Sequence, residues 1–211
     1  MASPYPPGFS HHPLYFSPVE QAALVAEVRA ALDTAPLFQP RMPRTGTPTS
    51  VLMSNLGELG WVSDKEGGYR YQPIHPTTGA PWPAMPEALL KLWHDVTDWP
   101  DLPECCLVNW YAPHRNARMG AHVDADEDAV NAPIVSVSIG DPAMYRLGGL
   151  ERGGKTTGIK LHSGDVVVMA GEARRRYHAV SRIWWGESAL LPESHFPGGG
   201  RLNLTLRRVR G

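Results

Sequence analysis

His122 and Asp124 stand two residues apart in the stretch MGAHVDADE, and Asp126, Glu127 and Asp128 follow at once. On a strand, residues two apart face the same way, so both side chains can reach one ion while Val123 points elsewhere. An H-x-D pair alone reads equally well as a surface histidine in an acidic loop, and a metal needs a third ligand. His178, in RRRYHAVSRI, lies beyond the very apolar run Val166 to Met169, which places it near a core where a histidine wants a partner. Two histidines and one carboxylate on one side of an ion hold a non-haem Fe(II) and leave the opposite positions open for a co-substrate and O2. His122, Asp124 and His178 are therefore the candidate ligands. His162, beside the HSGD turn, and His75, His114 and His195, in Pro- or Gly-rich loops, are poorer candidates for the third place.

The stretch RLNLTLRR supplies an independent clue. Leu202, Leu204 and Leu206 share one face of a strand, and Arg201, Asn203, Thr205 and Arg207 share the other. Such a strand is either half exposed with a solvated polar face, or it lines the inside of a β-core. In the second case its buried arginines need carboxylates, which they grip in bidentate fashion, and a dicarboxylate co-substrate would supply them. Asn109 and Tyr111 in VNWYA share a face and offer polar tips to the same ligand.

These residues need a scaffold. SPVEQAALVAEVRAALDTA carries a capping box, Ser17 with Glu20, a proline at the first helical position and an apolar face of Leu24, Val25, Val28, Ala31 and Leu32. MPEALLKLWHDVTDW predicts a second helix, with Leu89, Leu92, Trp93 and Val96 on one stripe and His94 off it. From Glu104 onward the period turns to strands: CCLVNWYA, PIVSVSIG, AMYRLGG, TGIKLH, DVVVMAG, YHAVSRI and RLNLTLRRV. Helices followed by many short strands predict a mainly β fold, a sandwich or jelly roll with helices packed outside. The first residues, including the adjacent His11 and His12, read as an irregular arm that offers at most a weak surface metal site.

With 211 residues, 42% hydrophobic and 19% charged, the chain suits one globular unit, and its 21 Gly and 21 Pro favour a turn-rich β architecture. A net charge of −1 supplies no global field for a polyanion, so any such binding must come from local clusters: Arg174–Arg176, Arg115 with Arg118, and Arg207, Arg208 and Arg210. These are equally a solvated face. Cys105 and Cys106 are adjacent on a strand and point apart, so they form no staple. Without a disulfide framework, a secretory segment or a long apolar run, the expectation is a cytoplasmic monomer with no membrane partner.

In combination NWYAP, HVDADE, APIVSVSIGDPAMYRLGG, GDVVVMAGEARRRYHAV and RLNLTLR, in that order, resemble the AlkB family of Fe(II)- and 2-oxoglutarate-dependent nucleic-acid dealkylases. The upstream LGWVSDKEGGYRYQPIHPTTGAPWPAMP is similar to the bacterial branch that acts on damaged DNA. The resemblance implies a double-stranded β-helix core over 104–211, helices and a nucleotide-recognition lid over 17–103, and the arm over 1–16. It implies that His122, Asp124 and His178 bind iron. Arg201 and Arg207 would bind the carboxylates of 2-oxoglutarate, supported by Asn109, Tyr111 and Asn203. A flipped base would stack on Trp61, Tyr69 and Tyr71 would bind the flanking backbone, Asp126 would contact the exocyclic group, and Arg152 would stand at the rim.

The implied reaction is O2-dependent demethylation of bases such as 1-methyladenine or 3-methylcytosine in DNA, single-stranded for preference, or in RNA. The substrate's positive charge would suit Asp126 with Glu127 as an acidic wall. Met169 and Trp110 depart from the bacterial pattern at positions where tryptophan and arginine are common, and one extra residue precedes Tyr69. Two rival readings use the same fold: a nucleic-acid binding module without turnover, and a small-molecule oxygenase with no need of Trp61, Tyr69 and Tyr71. A zinc hydrolase leaves the paired arginines unexplained.

Overall fold

The structure, a computed structural model, describes residues 5–211. Ser17 opens helix α1 (Pro18–Thr34) through a complete capping box: its hydroxyl accepts from the Glu20 backbone N–H, and the Glu20 carboxylate accepts from the Ser17 N–H at 2.8 Å. The apolar spacing then buries Leu24, Val25, Val28 and Leu32. Helix α2 (Glu87–Val96) starts after Pro86 and buries Leu89, Leu92 and Trp93, leaving His94 exposed.

Twelve strands are formed among the described residues: β1 (Phe9–His12), β2 (Leu52–Gly57), β3 (Gly60–Asp64), β4 (Gly68–Gln72), β5 (Cys105–Tyr111), β6 (Met119–His122), β7 (Ile134–Gly140), β8 (Ala143–Leu147), β9 (Thr157–Leu161), β10 (Val166–Met169), β11 (His178–Ile183) and β12 (Arg201–Arg207). They pair antiparallel in a six-stranded sheet of order β1-β10-β7-β12-β5-β2 and a four-stranded sheet of order β6-β11-β8-β9, with β3 and β4 as a separate hairpin. This is a jelly-roll architecture, mainly β with flanking helices.

Period-two alternation divides the six-stranded sheet into two faces. Cys106, Val108, Val135, Val137, Ile139, Leu202, Leu204 and Leu206 pack with the buried faces of both helices in one apolar cluster. The three leucines of β12 are fully buried, each contributing about 1.5–3 kcal/mol. The opposite face, which carries Leu107, Asn109, Tyr111, Arg201, Asn203, Thr205 and Arg207, lines the cavity between the two sheets. Cys105 and Cys106 are free, buried and in different clusters.

At the corner where the chain leaves β7 for β8, Gly140 has φ +88° and lies so close to the Gly200 carbonyl that a Cβ would come within 2.5 Å of it. Only glycine fits there.

Two expectations need correction. The segment read as an irregular arm contains β1, which pairs with β10 in register Phe9↔Met169 to His12↔Val166 and forms one edge of the main sheet. His11 is occupied there, its Nε2 lying 2.9 Å from the Asp165 carboxylate. The boundary at residue 104 also cuts the main sheet, because β2 forms its other edge against β5. At four residues β1 is short, and FSHH lacks the turn-bounded apolar alternation that marks a strand in sequence. Among the described residues no helix is long and apolar enough to cross a membrane.

Candidate iron and 2-oxoglutarate site

His178 opens β11 and pairs across the strands with His122, which closes β6, so strand register alone brings the two rings together at 4.3 Å between centroids. Asp124 sits two residues beyond the end of β6, in a loop and not on the strand that the H-x-D spacing suggested. Its carboxylate nevertheless lies between the histidines, Oδ1 at 3.6 Å from His122 Nε2 and Oδ2 at 3.6 Å from His178 Nε2. The three ligand atoms lie within 4.8 Å of one another, and no other described His, Cys, Asp or Glu residues form such a group.

The two histidines are set up to ligate through Nε2. His122 Nδ1 is 2.9 Å from the Gly120 carbonyl and His178 Nδ1 is 3.3 Å from that of Arg176, so each Nδ1 donates its proton and leaves the Nε2 lone pair free. Burial pushes the His178 imidazole down to about 4, which keeps it neutral. Burial by itself would raise the Asp124 carboxyl. The Arg207 guanidinium at 2.8 Å, with His178 and His122, outweighs that and holds Asp124 well below the usual carboxylate range. An anionic carboxylate and two imidazoles that turn Nε2 toward it, on one side of an ion, fit Fe(II).

A loop needs other anchors than a ladder, and two arginines supply them. Arg207 reaches Asp124 from β12. Arg174, almost fully buried, donates to the Asp124 backbone carbonyl, to the Ala132 carbonyl at 2.9 Å and to the Glu127 carboxylate at 2.8 Å. Glu127 also accepts from Arg207 at 2.8 Å and from the Tyr71 hydroxyl. The acidic run thus has three separate fates: Asp124 faces the histidines, Glu127 is buried on two arginines, and Asp126 is exposed.

These contacts correct the sequence reading in three places. Glu127 is not an open acidic wall, because its charge is already matched. Arg174 is a buried tie and not part of a surface cluster. Tyr71 turns inward, donating to Glu127 and accepting from Arg207 at 3.0 Å, so its hydroxyl is not presented to a flanking backbone. Sequence reasoning missed Arg174 because nothing in GEARRRYH tells one arginine of three from its neighbours. It also missed Tyr145, whose ring stacks on His178 at 5.8 Å.

Deeper in the cavity, Arg201 is completely buried yet touches no carboxylate. Its guanidinium donates to Ser138 Oγ at 2.7 Å and to the Asp141 carbonyl at 3.3 Å, and burial pulls it down to about 10. Arg201 Nε, Arg207 Nε and Asn109 Oδ1 are buried without a partner. Tyr111 and Asn203 line the same wall, with Asn203 held by Ser136 Oγ at 2.7 Å. A buried guanidinium with no ion pair and two orphaned guanidinium N–H groups, Arg201 Nε and Arg207 Nε, call for an anionic ligand. The two carboxylates and keto group of 2-oxoglutarate fit that donor set.

Beside the Asp124 loop stands the β3–β4 hairpin, which carries Trp61 on β3 and Tyr69 on β4. Trp61 stacks with Tyr69 at 5.6 Å and 24° between planes, and its indole N–H donates to Asp126 at 2.8 Å. Tyr69 is 46% exposed. Arg152, exposed in the β8–β9 loop, lies over the ring of Tyr177, the residue before His178. Of the departures from the bacterial pattern, Trp110 points to the helical side and packs on Phe196, whereas Met169 lines the cavity.

Comparison with known proteins agrees with this geometry. Residues 8–207 match the 2OG-Fe(II) oxygenase superfamily. The chain is 47% identical to an alpha-ketoglutarate-dependent dioxygenase AlkB homolog of Caulobacter vibrioides, over 97% of this chain and 89% of the relative. This chain belongs to the AlkB family. It is 39% identical to the AlkB dioxygenase of Escherichia coli, over 92% of this chain and 86% of that protein. The solved structure of OsALKBH1 superposes with a TM-score of 0.77 at 26% identity, covering 98% of this chain and all of that one. As an AlkB-family protein it is an Fe(II)- and 2-oxoglutarate-dependent dioxygenase that also uses O2, and the His-Asp-His group is the feature that such a reaction requires.

Proposed function

We propose that this AlkB-family dioxygenase removes alkyl groups from N-alkylated bases of DNA, of the 1-methyladenine and 3-methylcytosine type, as a cytoplasmic monomer that prefers single strands. The observation that carries the reading is that two features adjoin through the short segment from Asp124 to Asp126. A His-Asp-His group stands beside a buried arginine without a counter-ion, and at the mouth Trp61 and Tyr69 present stacked rings next to Asp126.

In the proposed division of labour, residues 104–211, completed by β1 and β2 at the edges of the main sheet, carry the catalytic core and the β3–β4 hairpin is the lid. His122, Asp124 and His178 hold the iron. Arg201 grips one carboxylate of 2-oxoglutarate and Arg207 stands at the other, with Asn109, Tyr111 and Asn203 along its length. Bound Fe(II) and 2-oxoglutarate supply the oxidation, in which O2 gives one oxygen atom to succinate and one to the alkyl carbon while CO2 leaves.

The chain's own residues do the rest. Trp61 stacks on the flipped base, a gain of about 1–3 kcal/mol that every base can make. Asp126 accepts from the exocyclic amine and favours a cationic base. Tyr69 and Arg152 guide the neighbouring backbone. Burial of His178, Arg201 and Arg207 keeps water from the inner side of the site, while His122 stands partly open at its edge. The N-hydroxymethyl product then releases formaldehyde and the unmodified base.

The test is anaerobic loading with Fe(II) and 2-oxoglutarate, then air and a single-stranded oligonucleotide with one 3-methylcytosine, read by mass spectrometry. Loss of the methyl that disappears in His122→Ala is the expected result. Succinate formed without methyl loss would move the substrate to another class, and an RNA strand preferred over DNA would revise the nucleic acid.

A further inference from the structure

The four-stranded sheet differs from the rest of the molecule in charge. Residues 1–103 carry 6 Lys/Arg against 10 Asp/Glu, while residues 104–211 carry 14 against 11. Within that basic half several cations are already used: Arg174, Arg201 and Arg207 are buried, Arg176 pairs with Glu172, and Arg208 and Arg210 pair with Glu104. Exposed cations without an ion pair among the described residues gather elsewhere. Arg146 and Arg182 lie on β8 and β11, Arg118 immediately precedes β6, and Arg152 and Lys155 lie in the β8–β9 loop. No strand of this sheet contains an Asp or Glu. The nearby acids are Glu187, 3.6 Å from Lys160, and Glu151 in the loop.

The outward face of this sheet is also built. Its outward positions, Arg146, Lys160 and Arg182, are exposed, in contrast to the main sheet under its helices. Register puts Met144 opposite Lys160 on one side and opposite Arg182 on the other. Above them Trp184 is held between two cations, Lys160 Nζ at 4.5 Å and Arg182 Cζ at 4.8 Å from the ring centroid. The Arg146 guanidinium packs against Gly158, where a Cβ would come within 2.9 Å of it. Arg146 is also one residue before Leu147, the strand partner of the ligand His178, and the strand runs on into the loop with Arg152.

We propose that this outward face, centred on Arg146, Arg182 and Trp184, is a second nucleic-acid contact that takes the sugar–phosphate backbone of the strand whose base enters the cavity. The proposal rests on the nucleic-acid reading above. Fixed cations interleaved with an aromatic ring suit a single strand, phosphates on the guanidinium groups and a base or sugar against the indole. Arg152 over Tyr177, the residue before His178, and Arg146 opposite Ala179, the residue after it, give the strand a path along the outer face beside the iron ligand.

The test compares binding of a 5-nucleotide and a 25-nucleotide strand, each with one 3-methylcytosine, to the Mn(II)- and 2-oxoglutarate-loaded protein by fluorescence anisotropy over a range of salt. Arg146→Glu/Arg182→Glu is set against Arg29→Glu/Lys91→Glu, which makes the same change in net charge on the helical side. Wild type and the helical control are expected to bind the longer strand at least ten times more tightly than the short one. The sheet variant is expected to bind both lengths alike, with a salt slope lower by about 0.7 for each phosphate it no longer neutralises, while turning over the 5-nucleotide strand normally. An unchanged length advantage and slope in the sheet variant would overturn the surface alone. Equal weakening in both charge variants would show a non-local field and overturn it too. If wild type bound neither strand, the surface and the nucleic-acid reading would fall together.

Discussion

The two ends of the cavity are built on opposite plans. At the iron and 2-oxoglutarate end the contacts are buried and rigid: Arg201 is fully enclosed, Arg207 is tied to Asp124 and Glu127, and Arg174 fixes the loop that carries Asp124. At the mouth, Trp61 and Tyr69 stand on a two-stranded hairpin that stays outside both sheets, and Tyr69 is half open to solvent. An invariant small co-substrate rewards a preformed, desolvated clamp, whereas a base swung out of a polymer needs a surface it can enter. The chain therefore places its buried charge at the chemistry and its exposed rings at the substrate.

Breaking the buried end should stop turnover of any substrate. His122→Ala removes one of three ligands, and both Co(II) binding by calorimetry and succinate formation should fall to background. Arg201→Met leaves a carboxylate in the cavity without its cation, a loss of about 2–5 kcal/mol, so KM for 2-oxoglutarate should rise by roughly 1.5 to 3.5 powers of ten. Arg201→Lys should recover only part of this, because an ammonium cannot reproduce the bidentate fork. Arg174→Lys touches neither metal nor co-substrate. Loosening the Asp124 loop should nevertheless weaken metal affinity about 10- to 100-fold, seen by titration with Mn(II). An Arg174→Lys protein with native metal affinity but a lowered melting temperature would reduce Arg174 to a structural tie.

This contrast also explains which parts were legible in the sequence. β12 was legible because period two separates Leu202, Leu204 and Leu206 from Arg201 and Arg207 without ambiguity, and the core side then fixes which set faces the cavity. His178 was legible from the apolar strand before it. Glu127 was not, because three acids in a row beyond a strand end have no period to say which one turns inward. The hairpin was hidden for a different reason. GYRYQ does alternate, and Gly67 and Gly68 mark the turn, with Gly68 at φ +68° and the Asp64 carboxylate accepting from the Gly67 N–H at 2.6 Å. Its rings, however, divide between a partly buried pair, Trp61 and Tyr71, and the exposed Tyr69, so burial gave no uniform second signal.

The exposed end should break more gently and more selectively. Trp61→Ala removes a stacking platform, about 1–3 kcal/mol, so KM for a 3-methylcytosine oligonucleotide should rise between several-fold and about 100-fold while 2-oxoglutarate affinity holds. Trp61→Phe is the finer cut. It keeps a ring to stack on Tyr69 but removes the indole N–H that donates to Asp126 at 2.8 Å. That bond holds Asp126 in place at an exposed position, where a hydrogen bond contributes about 0.5–1.5 kcal/mol net, so the expected penalty is about 2- to 10-fold. Its pattern matters more than its size. If the bond aims Asp126 at the exocyclic amine, Trp61→Phe should weaken turnover of 3-methylcytosine more than that of an alkylated base without an exocyclic N–H. Equal penalties on both would leave Trp61 as a stacking surface only and remove Asp126 from base selection.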